Sequence, residues 1–150
     1  MTPELKEKLL RYANGKEPFS AHNHLQICDV EEGHSRIELR MAPESRNRWG
    51  QPHGGILFAL ADVACGVALV GLRQETCVTV SASIDFMAEA GGADHLIARG
   101  EVTHAGKRTC FCRAEITTAE GKIIAACHSS WSYLLPSLPP YTGTDEMLSR

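Results

Sequence analysis

The chain has little of several features that would assign a protein to a class at sight. Its six cysteines, Cys28, Cys65, Cys77, Cys110, Cys112 and Cys127, form no C-x-x-C pair, so zinc-ribbon and thioredoxin-type spacings are absent. Cys110 and Cys112 would share one face of a strand, and the set reads as reduced, mostly buried thiols. Neither sign of charge dominates: 15 Lys and Arg stand against 18 Asp and Glu, for a formal net charge of -3. That balance supplies no bulk field to hold a polyanion, and no nucleic-acid partner is expected. The opening MTPELKEKLLRYANGK is charged and lacks the apolar run of a secretory signal, so a cytoplasmic location is expected. G-x-S-x-G is missing, which leaves a nucleophile-elbow hydrolase unsupported. There are no internal repeats or low-complexity tracts.

Charge is scarcest between residues 54 and 72, where Asp62 is the only ionisable acid or base. This stretch approaches the roughly 20 apolar residues that a bilayer requires. A mid-span Asp is costly, however, and the flanks carry no cluster of basic or aromatic anchors. We therefore read 54–72 as a long helix buried in a protein core, and no membrane partner is expected. An unpaired carboxylate buried there would be expensive to keep, which raises the question of its purpose.

The surrounding pattern indicates what buries the helix. Residues 3–13 fit a short amphipathic helix, with Thr2 as N-cap, Pro3 at its first position and Asn14-Gly15 at its end; this N-terminal element occupies about 1–16. In 36–41, Ile37, Leu39 and Met41 alternate with Arg36, Glu38 and Arg40, the period of a half-buried strand. Residues 78–86 repeat it, placing Val78, Val80, Ala82, Ile84 and Phe86 on one face and Thr79, Ser81, Ser83 and Asp85 on the other. Further runs at 95–103, 108–118 and 122–134 behave similarly. They are punctuated by Gly91-Gly92, Gly106-Lys107 and Glu120-Gly121, short gaps that predict antiparallel hairpins. About 136–150 reads as an irregular tail. The whole is expected to be one domain, 1–150, of α+β class: an antiparallel sheet curled around one long buried helix.

The order Asn47, Gly50, His53-Gly54-Gly55, Leu60-Ala61-Asp62, then Ile84-Asp85-Phe86-Met87, then His104-Ala105-Gly106-Lys107-Arg108 resembles the hotdog-fold acyl-CoA thioesterases of the PaaI-like (phenylacetate-pathway) family. The likeness runs over about residues 30–134 and is most specific in the N-x5-HGG-x6-AD spacing. It implies a hotdog fold, hydrolysis of an acyl-CoA thioester, and a homodimer or a tetramer of hotdog dimers. No cofactor is implied, since coenzyme A arrives as part of the substrate.

The residue chemistry agrees with that implication. Gly54 and Gly55 open the helix, so their N-H groups lack intrahelical acceptors and suit a developing oxyanion. Glycine also lets a thioester carbonyl approach the backbone closely. Asp62 lies eight residues on, about 12 Å along a straight helix, beyond hydrogen-bond reach of a carbonyl held at Gly54. If both are catalytic, Gly54 of one subunit must work with Asp62 of another, most simply across a two-fold axis. Asp62 would act as general base on water or as nucleophile. The resemblance gives Asn47 a role in holding water or the thioester carbonyl, and gives Thr79 a hydroxyl role in orienting nucleophile or substrate. His53 either bonds substrate or braces the turn. Lys107 and Arg108, in a turn near the nucleotide end of similar proteins, would meet coenzyme A phosphates.

Other classes remain. Hotdog dehydratases or hydratases also act on acyl thioesters through a His with a carboxylate, for which His53 and Asp62 are candidates, and a non-catalytic acyl-CoA-binding protein would share the fold. His22 and His24 fall on one face if 21–24 is extended, but no neighbouring Cys or Asp pattern completes a metal site, and no metal is expected.

Overall fold

A computed structural model describes residues 1–15 and 17–134; the tail expected at about 136–150 and Lys16 lie outside the described residues. The helix α1 (Pro3–Gly15) and a one-turn helix α2 (Pro18–His22) precede strands β1 (Leu25–Glu31) and β2 (His34–Arg40). A 3-10 turn at Pro43–Ser45 leads to the long helix α3 (Gly54–Arg73), followed by β3 (Cys77–Phe86), β4 (His95–Ala105), β5 (Thr109–Thr118) and β6 (Ile123–Tyr133). All six strands form one antiparallel sheet in the order β1-β2-β4-β5-β6-β3. Every strand touches α3, so the sheet curls around the helix as the sequence predicts.

Alternation explains the core. Ile37 and Leu39 of β2, Leu96 and Ala98 of β4, and Cys112, Ala114 and Ile116 of β5 point inward to meet Leu60, Ala61, Ala64, Cys65 and Leu69 of α3. The small residues on that helix face let it lie close to the sheet, and Gly100 takes the approach to its limit. A Cβ at Gly100 would stand 2.3 Å from the Ala64 carbonyl oxygen. The same oxygen accepts a hydrogen bond from the buried Ser35 hydroxyl at 2.7 Å. The middle of α3 is thus pinned to β2 and β4 by one hydrogen bond and one missing side chain.

Four expectations need correction. Of the predicted hairpins, those at Gly106-Lys107 and Glu120-Gly121 join β4 to β5 and β5 to β6, but Gly91-Gly92 does not close one. The chain after β3 crosses to the far side of β5, where β4 pairs with β2; the open edge of β2 takes the strand that β3, already paired to β6, does not. Residues 21–24 are not extended: His22 ends α2, and His24 adopts a left-handed turn with φ 59°. His24 instead sits between Glu44 and Arg40 in a surface network.

The third correction concerns β3. Its pairing with β6 skips Val80, a bulge that shifts the register between Thr79 and Ser81. Cys77 and Thr79 therefore oppose the inward Tyr133 and Trp131, while Ala82, Ile84 and Phe86 oppose Ser129, Cys127 and Ala125 on the same inner face. Thr79 faces the helix, whereas strict alternation placed it on the opposite face, and Val80 is left 66% exposed. A bulge inserts one residue and reverses the facing of what precedes it.

The helix itself departs from the buried-all-round reading. α3 has the length and hydropathy of a membrane span, yet half of that span is buried by its own sheet and the remainder is open. Gly55 and Phe58 are exposed, and Gly54, Ala59, Asp62, Val63 and Gly66 half-buried. Gly100→Val should cost about 1–3 kcal/mol by overpacking, read as an earlier urea or thermal midpoint. A variant as stable as the wild type would show that α3 is free to move off the sheet.

Candidate active site

The turn that leads into α3 is built on Asn47. Its side-chain oxygen accepts hydrogen bonds from the N-H groups of Trp49 (3.0 Å) and Gln51 (3.1 Å), and its backbone N-H donates to the Gln51 carbonyl at 2.8 Å. The loop is closed by a bridge between Arg46 and Pro52. Gln51 Oε1 in turn accepts from Ala90 N-H, and Arg46 donates to the Ala93 carbonyl, so the turn is fastened to the segment that follows β3. The acceptor half of the Asn47 carboxamide is spent on the fold. Its NH₂ group, which meets no acceptor among the described residues, is the half left for chemistry.

His53 is the N-cap of α3, and its Nδ1 accepts the Gly55 N-H at 2.9 Å. Ile56 donates to the His53 carbonyl and the His53 N-H to the Ser45 carbonyl, while Leu57 makes the first regular helical bond, to His53. Of the four N-H groups that a helix start leaves without intrahelical partners, three are therefore satisfied locally. The Gly54 N-H alone meets no acceptor among the described residues. Such a donor, at the positive end of a 20-residue helix, is suited to a negative oxygen. Gly55 was predicted alongside it as a substrate contact, but its N-H is committed to His53. Since Nδ1 accepts, the neutral His53 ring carries its proton on Nε2.

Phe86, at the end of β3, forms a wall beside this donor. A Cβ on Gly54 would come within 3.2 Å of the Phe86 ring, so glycine at position 54 makes room for the aromatic side chain. Phe86, Met87 and Trp49 are all more than half exposed.

Asp62 lies on the open side of α3, with Oδ1 accepting the Thr79 hydroxyl at 2.6 Å. The β3 bulge makes this contact possible, because without it Thr79 would face away from the helix. Oδ2 has no partner among the described residues. The burial expected for Asp62 is thus not supplied by its own chain, which instead orients one oxygen and leaves the other open. Gly54 is two helical turns away, about 12 Å at 1.5 Å per residue, and one chain does not bring the two groups together.

Lys107 and Arg108 occupy the β4–β5 turn, at the other end of α3. The Lys107 carbonyl accepts from Arg73 Nη1 at 3.2 Å, the Arg73 guanidinium lies 4.8 Å over the Tyr133 ring, and the Tyr133 hydroxyl donates to the Leu69 carbonyl. The last turn of α3 therefore holds the hairpin and adds a third cation to it, one that sequence reading passed over. Its signal was available: a basic residue ending the same helix that starts with the glycines.

The thiols offer no competing nucleophile. Burial pushes Cys77 up to about 12 and Cys127 up to about 11. Cys65 and Cys112 share a hydrogen bond that lowers Cys65 and, with desolvation, raises Cys112, but Cys65 is fully buried in the closed core. Among the described residues no three His, Cys, Asp or Glu side chains are grouped to hold a metal ion.

Comparison with known proteins matches this geometry to one family. The model of the thioesterase superfamily matches residues 50–125, which run from the turn through α3 and β3 into β6. The acyl-coenzyme A thioesterase PaaI of Escherichia coli is 30% identical over 101 residues, 67% of this chain and 71% of that protein. Human acyl-coenzyme A thioesterase 13 is 25% identical over 127 residues, 83% of this chain and 91% of that protein. Among solved structures, E. coli PaaI superposes with a TM-score of 0.78 at 25% identity, covering 87% of this chain and 96% of that one. A Streptococcus pneumoniae thioesterase determined with coenzyme A gives 0.69 at 28% identity, covering 73% and 85%. The six-stranded antiparallel sheet wrapped on a single helix is the hotdog fold, and the chain belongs to the thioesterase superfamily, whose PaaI-like members it resembles, with thioester hydrolysis as its chemistry.

Proposed function

We propose that the chain hydrolyses acyl-CoA thioesters in a homodimer, or a tetramer built from such dimers, whose active site joins Gly54 of one subunit to Asp62 of the other. The observation that carries the reading is the pairing of one free helix N-H with one half-free carboxylate on the same open helix face, about 12 Å apart. In an antiparallel pair of α3 helices each group would meet its complement from the other chain.

The two sheet edges support a second copy as partner. At β1 the side chain of Asn14 both donates to the Ile27 carbonyl and accepts its N-H, so α1 closes that edge as a neighbouring strand would. The β3 edge has no such cover among the described residues, and Val78, Val80, Phe86 and Met87 are exposed along it. An uncovered strand edge is a site for strand pairing, and this one, where Ser81, Ser83 and Asp85 are exposed as well, adjoins the open side of α3. The turn carrying Lys107 and Arg108 is fastened to the C-terminal end of α3, about 16 Å from Asp62 and about 28 Å from Gly54 of the same chain. The subunit that supplies Asp62 would thus also supply the cations for the coenzyme A phosphates.

In this site the thioester carbonyl accepts from the Gly54 N-H. Water, deprotonated by Asp62 of the partner subunit, adds to the carbonyl carbon, and the charge on oxygen is met by the helix end. Collapse breaks the carbon-sulfur bond and releases free acid and coenzyme A thiol, with the proton returned to sulfur. Asp62 could instead add directly, giving an anhydride that water opens; where water attacks the Asp62 side-chain carbonyl carbon, ¹⁸O from the solvent enters the Asp62 carboxylate in a single turnover, whereas the general-base route labels only the product acid. Thr79 orients the carboxylate on either route, and the Asn47 NH₂, without an acceptor among the described residues, would donate to water or the carbonyl. His53, with Nδ1 engaged by Gly55, offers a donor and no basic lone pair in its neutral form, which favours hydrolysis over a histidine-based dehydration.

Asp62→Asn should reduce thiol release from acyl-CoA about 10²- to 10⁴-fold with the dimer intact; near-normal turnover would end the assignment. Mixing inactive Asp62→Asn with inactive Gly54→Pro chains should restore activity in the heterodimer, in one of its two sites. Verified heterodimers without activity would rule out a shared site. Thr79→Val removes the hydroxyl that orients Asp62, and kcat should fall about tenfold, the worth of one hydrogen bond to a charged group, with KM little changed. A change in KM with none in kcat would place Thr79 in binding instead.

A further inference from the structure

Gly54, Phe58 and Asp62 are spaced i, i+4 and i+8 on α3 and fall on one stripe of the helix. Phe58 is 37% exposed, a large aromatic side chain on the open face that the described residues of its own chain cover only in part. If a two-fold axis sets Gly54 against Asp62 of the partner subunit, the axis crosses the helix pair at the residue midway between them. That residue is Phe58. From this spacing, which rests on the composite site proposed above, we infer that Phe58 packs against the partner's Phe58 on the two-fold axis, as the positioning residue that fixes the offset between the two helices.

The consequence is geometric. Each active site would lie about 6 Å from the Phe58 pair along the helix direction, on opposite sides of it, with the two sites about 12 Å apart. A slip of one helical turn would move Gly54 about 5.4 Å away from its carboxylate, further than a hydrogen bond spans. A symmetric aromatic contact resists such a slip, because any displacement separates both rings from their mutual packing at once. Small residues on either side, Gly55, Ala59 and Gly66, leave space for the helices to approach at the roughly 8–10 Å typical of packed pairs. The Phe58 pair would also form a wall common to both acyl sites.

Phe58→Cys tests the placement directly. Mild oxidation of this variant should give a covalent dimer in which the two introduced thiols are joined, identifiable by mass spectrometry as a disulfide between two copies of the same peptide. Residues on the axis fall within the roughly 7 Å between α-carbons that a disulfide allows. Asp62→Cys, whose two copies would stand about 12 Å apart along the helix direction, should give no such self-crosslink, and neither should the wild type with its native thiols. Phe58→Ala should raise the dimer dissociation constant at least about tenfold, as loss of an aromatic pair implies, and Phe58→Leu should recover part of it.

A Phe58→Cys dimer, verified by light scattering, that stays uncrosslinked would overturn the inference, as would a Phe58→Ala dimer as tight as the wild type. Should Phe58→Cys fail to dimerise, a photoreactive benzoylphenylalanine at position 58 serves in its place. Attachment to the partner peptide containing that position would support the inference, and attachment elsewhere would sink it. The heterodimer experiment keeps the two claims apart: restored activity without a crosslink between the two position-58 side chains leaves the shared site standing and removes only the role of Phe58. That crosslink without restored activity does the reverse.

Discussion

The distance along α3 between the free N-H of Gly54 and the carboxylate of Asp62 is the constraint on which the functional account depends. A helix rises about 1.5 Å per residue, and no side-chain rotation brings groups eight residues apart onto one carbonyl. Everything else about the helix then becomes intelligible. It is too apolar for a surface helix, yet only half of it is covered by its own sheet, and the uncovered half carries the only charge between its first residue and Arg73. That charge is held by Thr79 at one oxygen and open at the other. This open apolar face is the surface that the proposed dimer would bury.

The sheet serves the same end by differing at its two margins. Asn14 closes the β1 edge with a pair of hydrogen bonds that imitate a strand, while β3 runs uncovered by the described residues beside the open helix face. The bulge at Val80 belongs to this side as well. It turns Thr79 inward to hold Asp62, and it displaces Val80 outward onto the exposed edge. One inserted residue thus serves both the Asp62 carboxylate and the surface that would meet a partner in the proposed dimer. On the closed side, Gly100 and Ser35 press the helix against β2 and β4, which keeps the stripe bearing Gly54, Phe58 and Asp62 in a fixed direction.

Much of this was legible in the sequence because its physical signals are local. The glycine pair after His53, the uncharged run to Leu72 and the two-residue alternation of Ile37, Leu39 and Met41 each report an element within a few residues. Other features depend on what lies across the sheet. The outward facing assigned to Thr79 was wrong because a bulge leaves no mark in an alternating pattern. The hairpin at Gly91-Gly92 failed because the turn residues were right for a turn and silent about which strand β4 would find. Gly55 looked equivalent to Gly54 until the His53 ring took its N-H. Arg73, Phe58 and Phe86 were passed over because an arginine or phenylalanine in a helix or strand is ordinary until the structure shows what stands beside it.

The central claim is that one catalytic centre is assembled from two chains. A crystal structure with an acyl-CoA analogue in which a methylene replaces the thioester sulfur, leaving the carbonyl intact but not hydrolysable, tests it most directly. The account predicts the carbonyl oxygen within hydrogen-bond distance of the Gly54 N-H of one subunit, with the carboxylate of Asp62 of the partner subunit facing the carbonyl carbon. A carbonyl bound away from Gly54, or flanked by Gly54 and Asp62 of the same chain, would contradict it.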